Sequence, residues 1–128
     1  MIRGIGIDIV EIARIERACR RWEEKFRERL YTDAEWAYCT SRAQPYAAMA
    51  ARFAAKEAVM KALGVGVGKI GWREIEISRE EYGRPRVRLY GKARDLARRQ
   101  GITEIWISLS HCRDYASACA VAEGGSGR

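Results

Sequence analysis

Apolar residues alternate with other residues in several short stretches, and such alternation predicts β-strands. Ile5, Ile7 and Ile9 stand at every second position, so the first strand is expected to bury one face. The expected strands are residues 4–10, 75–77, 87–89, 105–109 and 115–122. Because a glycine and a proline predict a turn at residues 80–85, the second and third strands are expected to form a hairpin.

Other stretches repeat their apolar residues every three or four positions, which predicts amphipathic helices. The expected helices are residues 12–26, interrupted near 20–23, then 32–38, 45–62 and 92–100. Thr32 and Glu35 have the spacing of a capping box, which favours a helix that begins there. Pro45 suits a first helical turn and Gly64 suits the residue after a helix end, so a long alanine-rich central helix is expected between them.

This order of elements predicts an α+β fold, in which a long central helix packs with shorter helices on a mainly antiparallel sheet. A chain of 128 residues fits a single domain. We expect residues 1–123 to form that domain and the glycine- and serine-rich residues 124–128 to form a flexible tail.

The net charge of +7 favours an anionic partner, such as nucleic acid, a membrane surface or an acidic protein. Arginines cluster on the first predicted helix, where a solvated charged face is the simplest interpretation. A second interpretation is a docking surface for an acidic protein, formed by Arg14 and Arg21 with Trp22 and Phe26, although both aromatic residues suit a core equally well. For the whole chain, the alternative to an enzyme is a small basic nucleic-acid-binding module.

Cysteine usage and the absence of targeting patterns bear on the compartment. The four cysteines show neither a CxxC pair nor the spacing of zinc ligands. We recognise no secretory signal and no apolar run as long as a membrane span, and therefore expect a cytoplasmic protein with reduced thiols. The glycine-rich residues 64–69 do not match a P-loop, because the spacing to Lys69 is one residue short and Ile70 replaces the metal-binding hydroxyl residue.

Four polar residues have both a structural and a functional interpretation. Glu57 and Lys61 are four positions apart on the central helix, the spacing of a surface ion pair. Asp8 lies in an apolar strand, which disfavours an acid, and a helix cap is its simplest role. His111, the only histidine, follows the strand at residues 105–109, where a structural role is the simpler interpretation.

Three segments, taken in order, resemble one family. Residues 4–15 contain the run from Gly4 to Val10, residues 52–61 contain the Arg-Phe-Ala-Ala-Lys-Glu-Ala run with a further lysine, and residues 108–111 read Ser-Leu-Ser-His. Together they resemble holo-acyl-carrier-protein synthase, the small bacterial type of 4′-phosphopantetheinyl transferase, from residue 1 to about residue 123. The resemblance implies the fold of that family, assembled as a homotrimer with the active site between neighbouring subunits.

The resemblance also implies an activity and its groups. The family transfers the 4′-phosphopantetheine arm of coenzyme A to a serine of an acyl carrier protein, in support of fatty acid biosynthesis, and leaves adenosine 3′,5′-bisphosphate. Asp8 and Glu57 match the family's Mg²⁺-binding acids, and Glu57 is also the candidate base for the serine, directly or through a metal-bound water. Lys61 matches a catalytic lysine that faces the diphosphate.

Further residues match the family's coenzyme A site. Arg52 matches an arginine near the 3′-phosphate of the nucleotide, with Arg42 as a possible helper. The complete implied set for coenzyme A is Arg52, Lys61, Gly64, Pro85, Ser110 and His111. Val65 and Cys112 depart from relatives, which often carry a hydroxyl residue at these positions, so side-chain hydrogen bonds to the ligand are not expected there.

Overall fold

The structure is a computed structural model that describes residues 1–79 and 83–125. The strands are β1 (Ile2–Glu11), β2 (Ile75–Arg79), β3 (Pro85–Leu89), β4 (Ile102–His111) and β5 (Tyr115–Gly124). The helices are α1 (Ile12–Trp22), α2 (Glu24–Leu30), α3 (Asp33–Thr40), α4 (Pro45–Ala62) and α5 (Gly91–Arg99), and a 3₁₀ turn covers Trp72–Glu74.

The strands form two antiparallel sheets, so the predicted α+β class is confirmed. One sheet has the order β1-β5-β4, and the other is the β2–β3 hairpin. Part of the predicted hairpin turn, residues 80–82, lies outside the described residues. Strand β5 continues to Gly124, the first residue of the predicted tail, and residues 126–128 of that tail also lie outside the described residues.

Helix α4 is the centre of the core and packs across β1 and β5. It begins at Pro45, and Gly64 just beyond its end has a φ of 75°, which favours glycine. Ala50, Ala54 and Ala58 are fully buried along it. Their small side chains allow neighbouring elements to come close, so the alanine content that favours the helix also sets its packing distance.

Strand β1 lies against α4 with its backbone almost in contact with that helix. A Cβ atom added to Gly4 would overlap the carbonyl oxygen of Ala62, and one added to Gly6 would overlap that of Ala58. Only glycine therefore fits at these two positions of the strand. This close approach positions the next residue on the same face of β1, Asp8, beside the C-terminal half of α4.

Strand β1 buries one face, as predicted, but in the single chain the alternating isoleucines lie on the opposite face. Ile5, Ile7 and Ile9 are 61%, 66% and 64% exposed. The inner face is formed instead by the glycines and Val10. Alternation gives the period of a strand but not the face that packs, and here the close helix requires the residues without side chains.

We expect Gly6→Ala to lower the free energy of unfolding by about 1–3 kcal/mol, because the added methyl group displaces β1 from the backbone of α4. Gly66→Ala is the matched control, since a Cβ atom at Gly66 meets nothing within 4 Å. Urea denaturation of both variants provides the measurement. Equal stability of the two variants would contradict the described packing of β1 on α4.

The predicted interruption of the first helix is confirmed at Glu23, which has a φ of 48° between α1 and α2. The predicted capping box is confirmed at Thr32 and Glu35, at the start of α3. Among the described residues, no helix is long and apolar enough to cross a membrane.

Candidate active site

Asp8, Glu57 and Lys61 meet where β1 crosses α4. The Lys61 Nζ atom donates hydrogen bonds to the Ile7 carbonyl oxygen at 2.8 Å and to Asp8 Oδ1 at 3.3 Å. Lys61 thus connects α4 to β1. The interpretation of Lys61 as the partner of Glu57 in a surface ion pair did not predict this contact. Asp8 lies within β1, and Glu11 occupies the N-cap position of α1, so the capping interpretation of Asp8 is wrong.

The environment of Glu57 disfavours its negative charge. Partial burial raises the pKa of Glu57, and the neighbouring Asp8 carboxylate raises it further by repulsion and by a hydrogen bond. The positive charges of Lys61 and Arg14 oppose this rise in the pKa of Glu57. Two carboxyl groups within hydrogen-bonding distance repel each other when both are charged, and a shared proton or a cation relieves that repulsion.

The pair of acids fits the magnesium ion that the family resemblance implies. Mg²⁺ in proteins commonly takes one or two carboxylates, and water and substrate phosphates complete its coordination. Within residues 1–79 and 83–125, no group of three or more His, Cys, Asp and Glu side chains is arranged to bind a metal. Asp8 and Glu57 would therefore be the protein's contribution, with oxygen atoms of water and substrate as the remaining ligands.

A second cluster surrounds a cavity of about 340 Å³ near the N-terminal half of α4. We call it the arginine cavity. Its polar lining residues are Tyr38, Arg42, Gln44, Arg52, Arg79, Ser110 and His111. Four residues that were predicted for nucleotide binding, Arg42, Arg52, Ser110 and His111, are thus brought together in one place.

The other three residues predicted for coenzyme A, Lys61, Gly64 and Pro85, do not line this cavity. Gly64 lines a cavity of about 360 Å³ at the end of α4, and Pro85 lines one of about 150 Å³ beside β4. Within α4, Arg52 and Lys61 are nine residues apart, which is roughly 14 Å along the helix axis. One chain therefore does not unite the predicted residues in a single coenzyme A pocket.

The face of α1 and α2 contains a cavity of about 640 Å³, which we call the α1 groove. Arg14 and the 51%-exposed Trp22 line it, and the Arg21 guanidinium lies over the Trp22 ring at 5.0 Å. Phe26 is only 5% exposed and packs against Tyr31 in the core. Phe26 also lines the α1 groove, so the core interpretation is confirmed and its docking role stays a prediction.

A family comparison decides what kind of protein this is. The family model for the 4′-phosphopantetheinyl transferase superfamily matches residues 4–120. The chain belongs to this superfamily. The predicted family resemblance is thereby confirmed.

Curated relatives of this superfamily member are similar over nearly their whole length. The holo-[acyl-carrier-protein] synthase of Moorella thermoacetica is 57% identical over 118 residues, which cover 92% of this chain and 91% of the relative. The synthase of Syntrophus aciditrophicus is 43% identical, with 97% of this chain and 98% of the relative covered.

Solved structures share the fold as well. The holo-[acyl-carrier-protein] synthase of Neisseria meningitidis matches with a TM-score of 0.86 at 38% identity, covering 96% of this chain and 99% of that one. The Helicobacter pylori synthase, solved in complex with coenzyme A, matches with a TM-score of 0.83 at 36% identity, covering 93% and 99%. These matches confirm the predicted phosphopantetheinyl transferase fold.

One buried ion pair of this transferase fold was not found from the sequence. Lys56 Nζ donates to Glu35 Oε1 at 2.7 Å, and to the carbonyl oxygens of Trp72 at 2.9 Å and Ile75 at 2.6 Å. Glu35 Oε2 accepts from the Ile77 amide at 2.7 Å. Burial lowers the pKa of Lys56, and Glu35 opposes that shift. The pair ties α3 and the β2 hairpin to α4 immediately beside Glu57.

Proposed function

We propose that the protein transfers the 4′-phosphopantetheine arm of coenzyme A to a serine of apo acyl carrier protein and releases adenosine 3′,5′-bisphosphate. The observation that carries this proposal is the cluster of Asp8, Glu57 and Lys61 at the crossing of β1 and α4. Membership of the transferase superfamily favours this activity over the nucleic-acid-binding alternative. The products suit a role in fatty acid biosynthesis, which uses carrier proteins in their holo form.

The chemistry is phosphoryl transfer. The serine oxygen forms a bond to the phosphorus that bears the pantetheine arm, and the bond from that phosphorus to the oxygen bridging the diphosphate breaks. The bridging oxygen leaves with the nucleotide. Such reactions depend mostly on positioning and on neutralising charge. Lys61 supplies a fixed positive charge for the leaving phosphate, and its bond to the Ile7 carbonyl orients its ammonium group.

Asp8 and Glu57 are assigned to hold Mg²⁺. A bound Mg²⁺ neutralises the diphosphate and lowers the repulsion between the two carboxylates. Glu57 is also the chain's candidate for accepting the serine proton, directly or through a metal-bound water, because a carboxylate at this position can act as a general base.

The nucleotide end of coenzyme A is assigned to the arginine cavity. Arg52 is 2% exposed, and its Nε and Nη2 atoms have no hydrogen-bond partner among the described residues. Buried charged donors without an acceptor are costly, so an anion such as the 3′-phosphate is the expected partner. Arg42, Ser110 and His111 line the same cavity and are assigned to the same nucleotide.

A homotrimer would join the separate clusters. Ile5, Ile7 and Ile9 form an exposed apolar face on β1, and Val121 and the 43%-exposed Trp106 continue it across the sheet in register with Ile5. Such a face marks an interaction surface. A second copy packed there would supply walls that one chain lacks, which fits the division of the predicted coenzyme A residues between distant cavities.

We expect light scattering of the wild type to report about three times the chain mass of 14.6 kDa. Ile7→Glu should reduce that mass and the transferase activity together, because a charge in the apolar face opposes association. Trp22→Glu is the control for the mass alone, since Trp22 is similarly exposed but lies on α1, and it should leave the mass unchanged. A monomeric wild type with full activity would contradict the shared site.

The α1 groove is assigned to the carrier protein, because these carriers are acidic and the groove combines basic and apolar residues. Arg14 and Arg21 are the proposed docking cations, and Trp22 is the apolar contact. Arg14 also lowers the pKa of Glu57, so a substitution of Arg14 would affect both docking and the active site. A substitution of Arg21 tests docking alone.

We therefore expect Arg21→Glu to raise the KM for carrier protein about threefold or more while the KM for coenzyme A is unchanged. The effect should shrink at high salt, where exposed charges are screened. Arg98→Glu on α5 makes the same charge change away from α1 and serves as the control. Equal weakening of both substrates by Arg21→Glu would remove α1 from carrier docking.

The proposed activity is tested by intact-mass measurement of an apo carrier protein incubated with this protein, coenzyme A and Mg²⁺. The expected result is the mass of one added phosphopantetheine on the carrier. An unchanged carrier mass, with the protein folded, would contradict the proposal.

A further inference from the structure

The arginine cavity has an unusual arrangement at its wall, where three guanidinium groups surround one aromatic ring. The guanidinium carbons of Arg52, Arg42 and Arg79 lie 4.2, 5.3 and 5.5 Å from the centre of the Tyr38 ring. Tyr38 belongs to α3, whereas Arg52 lies on α4 and Arg79 ends β2. The ring therefore gathers cations from separate parts of the chain at a single cavity.

Arg52 differs from the other two arginines in its burial. It is 2% exposed, whereas Arg42 and Arg79 are exposed. Its Nε and Nη2 atoms find no hydrogen-bond partner among the described residues, whereas its guanidinium carbon lies 4.2 Å from the centre of the Tyr38 ring. Arginine stacked on an aromatic face at this distance gains both electrostatic and packing stabilisation.

The three positive charges repel one another, and an anion in the cavity would relieve that repulsion. Arg42 and Arg79 can turn toward solvent in the absence of a ligand, because they are exposed. Arg52 lacks that freedom, and its orientation before binding is set by the ring on which it lies. The free energy of binding an anion to Arg52 then includes little cost of ordering its side chain.

We propose that Tyr38 is a positioning residue that fixes the Arg52 guanidinium for the 3′-phosphate of coenzyme A. Through Arg52, Tyr38 determines the preference for coenzyme A over 3′-dephospho-coenzyme A. This inference rests on the proposed function, because it concerns the donor substrate of the same reaction. Tyr38 itself makes no bond to the reacting phosphorus, and Lys61 is separated from Arg52 by roughly 14 Å along α4.

The ring, not the hydroxyl, is the part of Tyr38 that acts. Tyr38→Phe keeps the ring face and should behave as the wild type. Tyr38→Leu and Tyr38→Met both remove the ring but fill similar space. Two ring-deleting variants are used so that the test still stands if one of them does not fold. Circular dichroism and thermal melting establish which variants are folded before any binding is compared.

The test is calorimetric titration with adenosine 3′,5′-bisphosphate and with adenosine 5′-monophosphate, which lacks the 3′-phosphate. We expect the ring-deleting variants to raise the Kd for the bisphosphate roughly five- to tenfold and to leave the Kd for the monophosphate unchanged. In the transferase assay, the same variants should raise the KM for coenzyme A at unchanged kcat, and leave the KM for 3′-dephospho-coenzyme A unchanged.

Three outcomes would overturn the inference while the proposed function stands, provided that the wild type still modifies the carrier protein. These are equal weakening of both nucleotides, loss of the preference in Tyr38→Phe as well, and a wild type that binds both nucleotides equally. A wild type that leaves the carrier protein unmodified would instead overturn the proposed function, and this inference with it.

Discussion

Asp8→Asn and Glu57→Gln are each expected to lower turnover by roughly a hundredfold or more while the protein stays folded. Both substitutions keep the size and shape of the side chain and remove one negative charge. Because the two carboxyl groups lie at one place and act on one cation, each loss should also lower the apparent affinity for Mg²⁺. The double variant should be little worse than the worse single variant, since residues that act as a unit are not additive.

Lys61→Met separates the phosphate role from the metal role. Turnover should fall, because the leaving phosphate loses its fixed positive charge. The affinity for Mg²⁺ should be retained, since removing Lys61 takes a competing cation away from Asp8. Magnesium titrations of the activity of the wild type and these four variants provide the measurement. A normal dependence on Mg²⁺ in Asp8→Asn would remove Asp8 from the metal site.

Lys56→Met is expected to lower the free energy of unfolding by about 3–5 kcal/mol. The substitution leaves the Glu35 carboxylate buried without its cation, and it also removes the donor to two backbone carbonyl oxygens. Adding Glu35→Gln to Lys56→Met should recover part of the loss, because the unpaired charge is then gone. The two stability changes would thus be less than additive.

Urea denaturation measures these changes, with Arg20→Met as the matched control. Arg20 pairs with Glu16 on the surface of α1, where an ion pair contributes little. We expect no measurable change in that control. If Lys56→Met were as stable as Arg20→Met, the buried pair would not anchor α3 and the hairpin to α4.

The local signals in the sequence account for most of the elements. The capping box at Thr32 and Glu35, the proline at position 45 and the glycine at position 64 each act within one helical turn, so the start of α3 and both ends of α4 were predictable. The face of β1 was not, because period-two alternation is the same whichever face is buried. The residues that indicate the buried face are Gly4 and Gly6, because their lack of side chains allows α4 to pack directly on the strand.

Contacts between residues far apart in the sequence could be predicted only in part. Family motifs placed Asp8 and Glu57 together, whereas nothing periodic connects Lys56 with Glu35 across 21 positions. Glu35 had an evident local partner in the capping box, which gave no sign of its second role. Tyr38 was missed for a similar reason, since a cluster of arginines around one ring arises only when α3, α4 and β2 pack.

The central claim is that one cluster of Asp8, Glu57 and Lys61 transfers the arm of coenzyme A and does not merely hydrolyse the diphosphate. The most direct test measures adenosine 3′,5′-bisphosphate and modified carrier protein in the same reaction, for the wild type and for Glu57→Gln. We predict one nucleotide released for each carrier modified by the wild type, and loss of both products in the variant. Nucleotide release without carrier modification, or unchanged transfer by Glu57→Gln, would contradict the account.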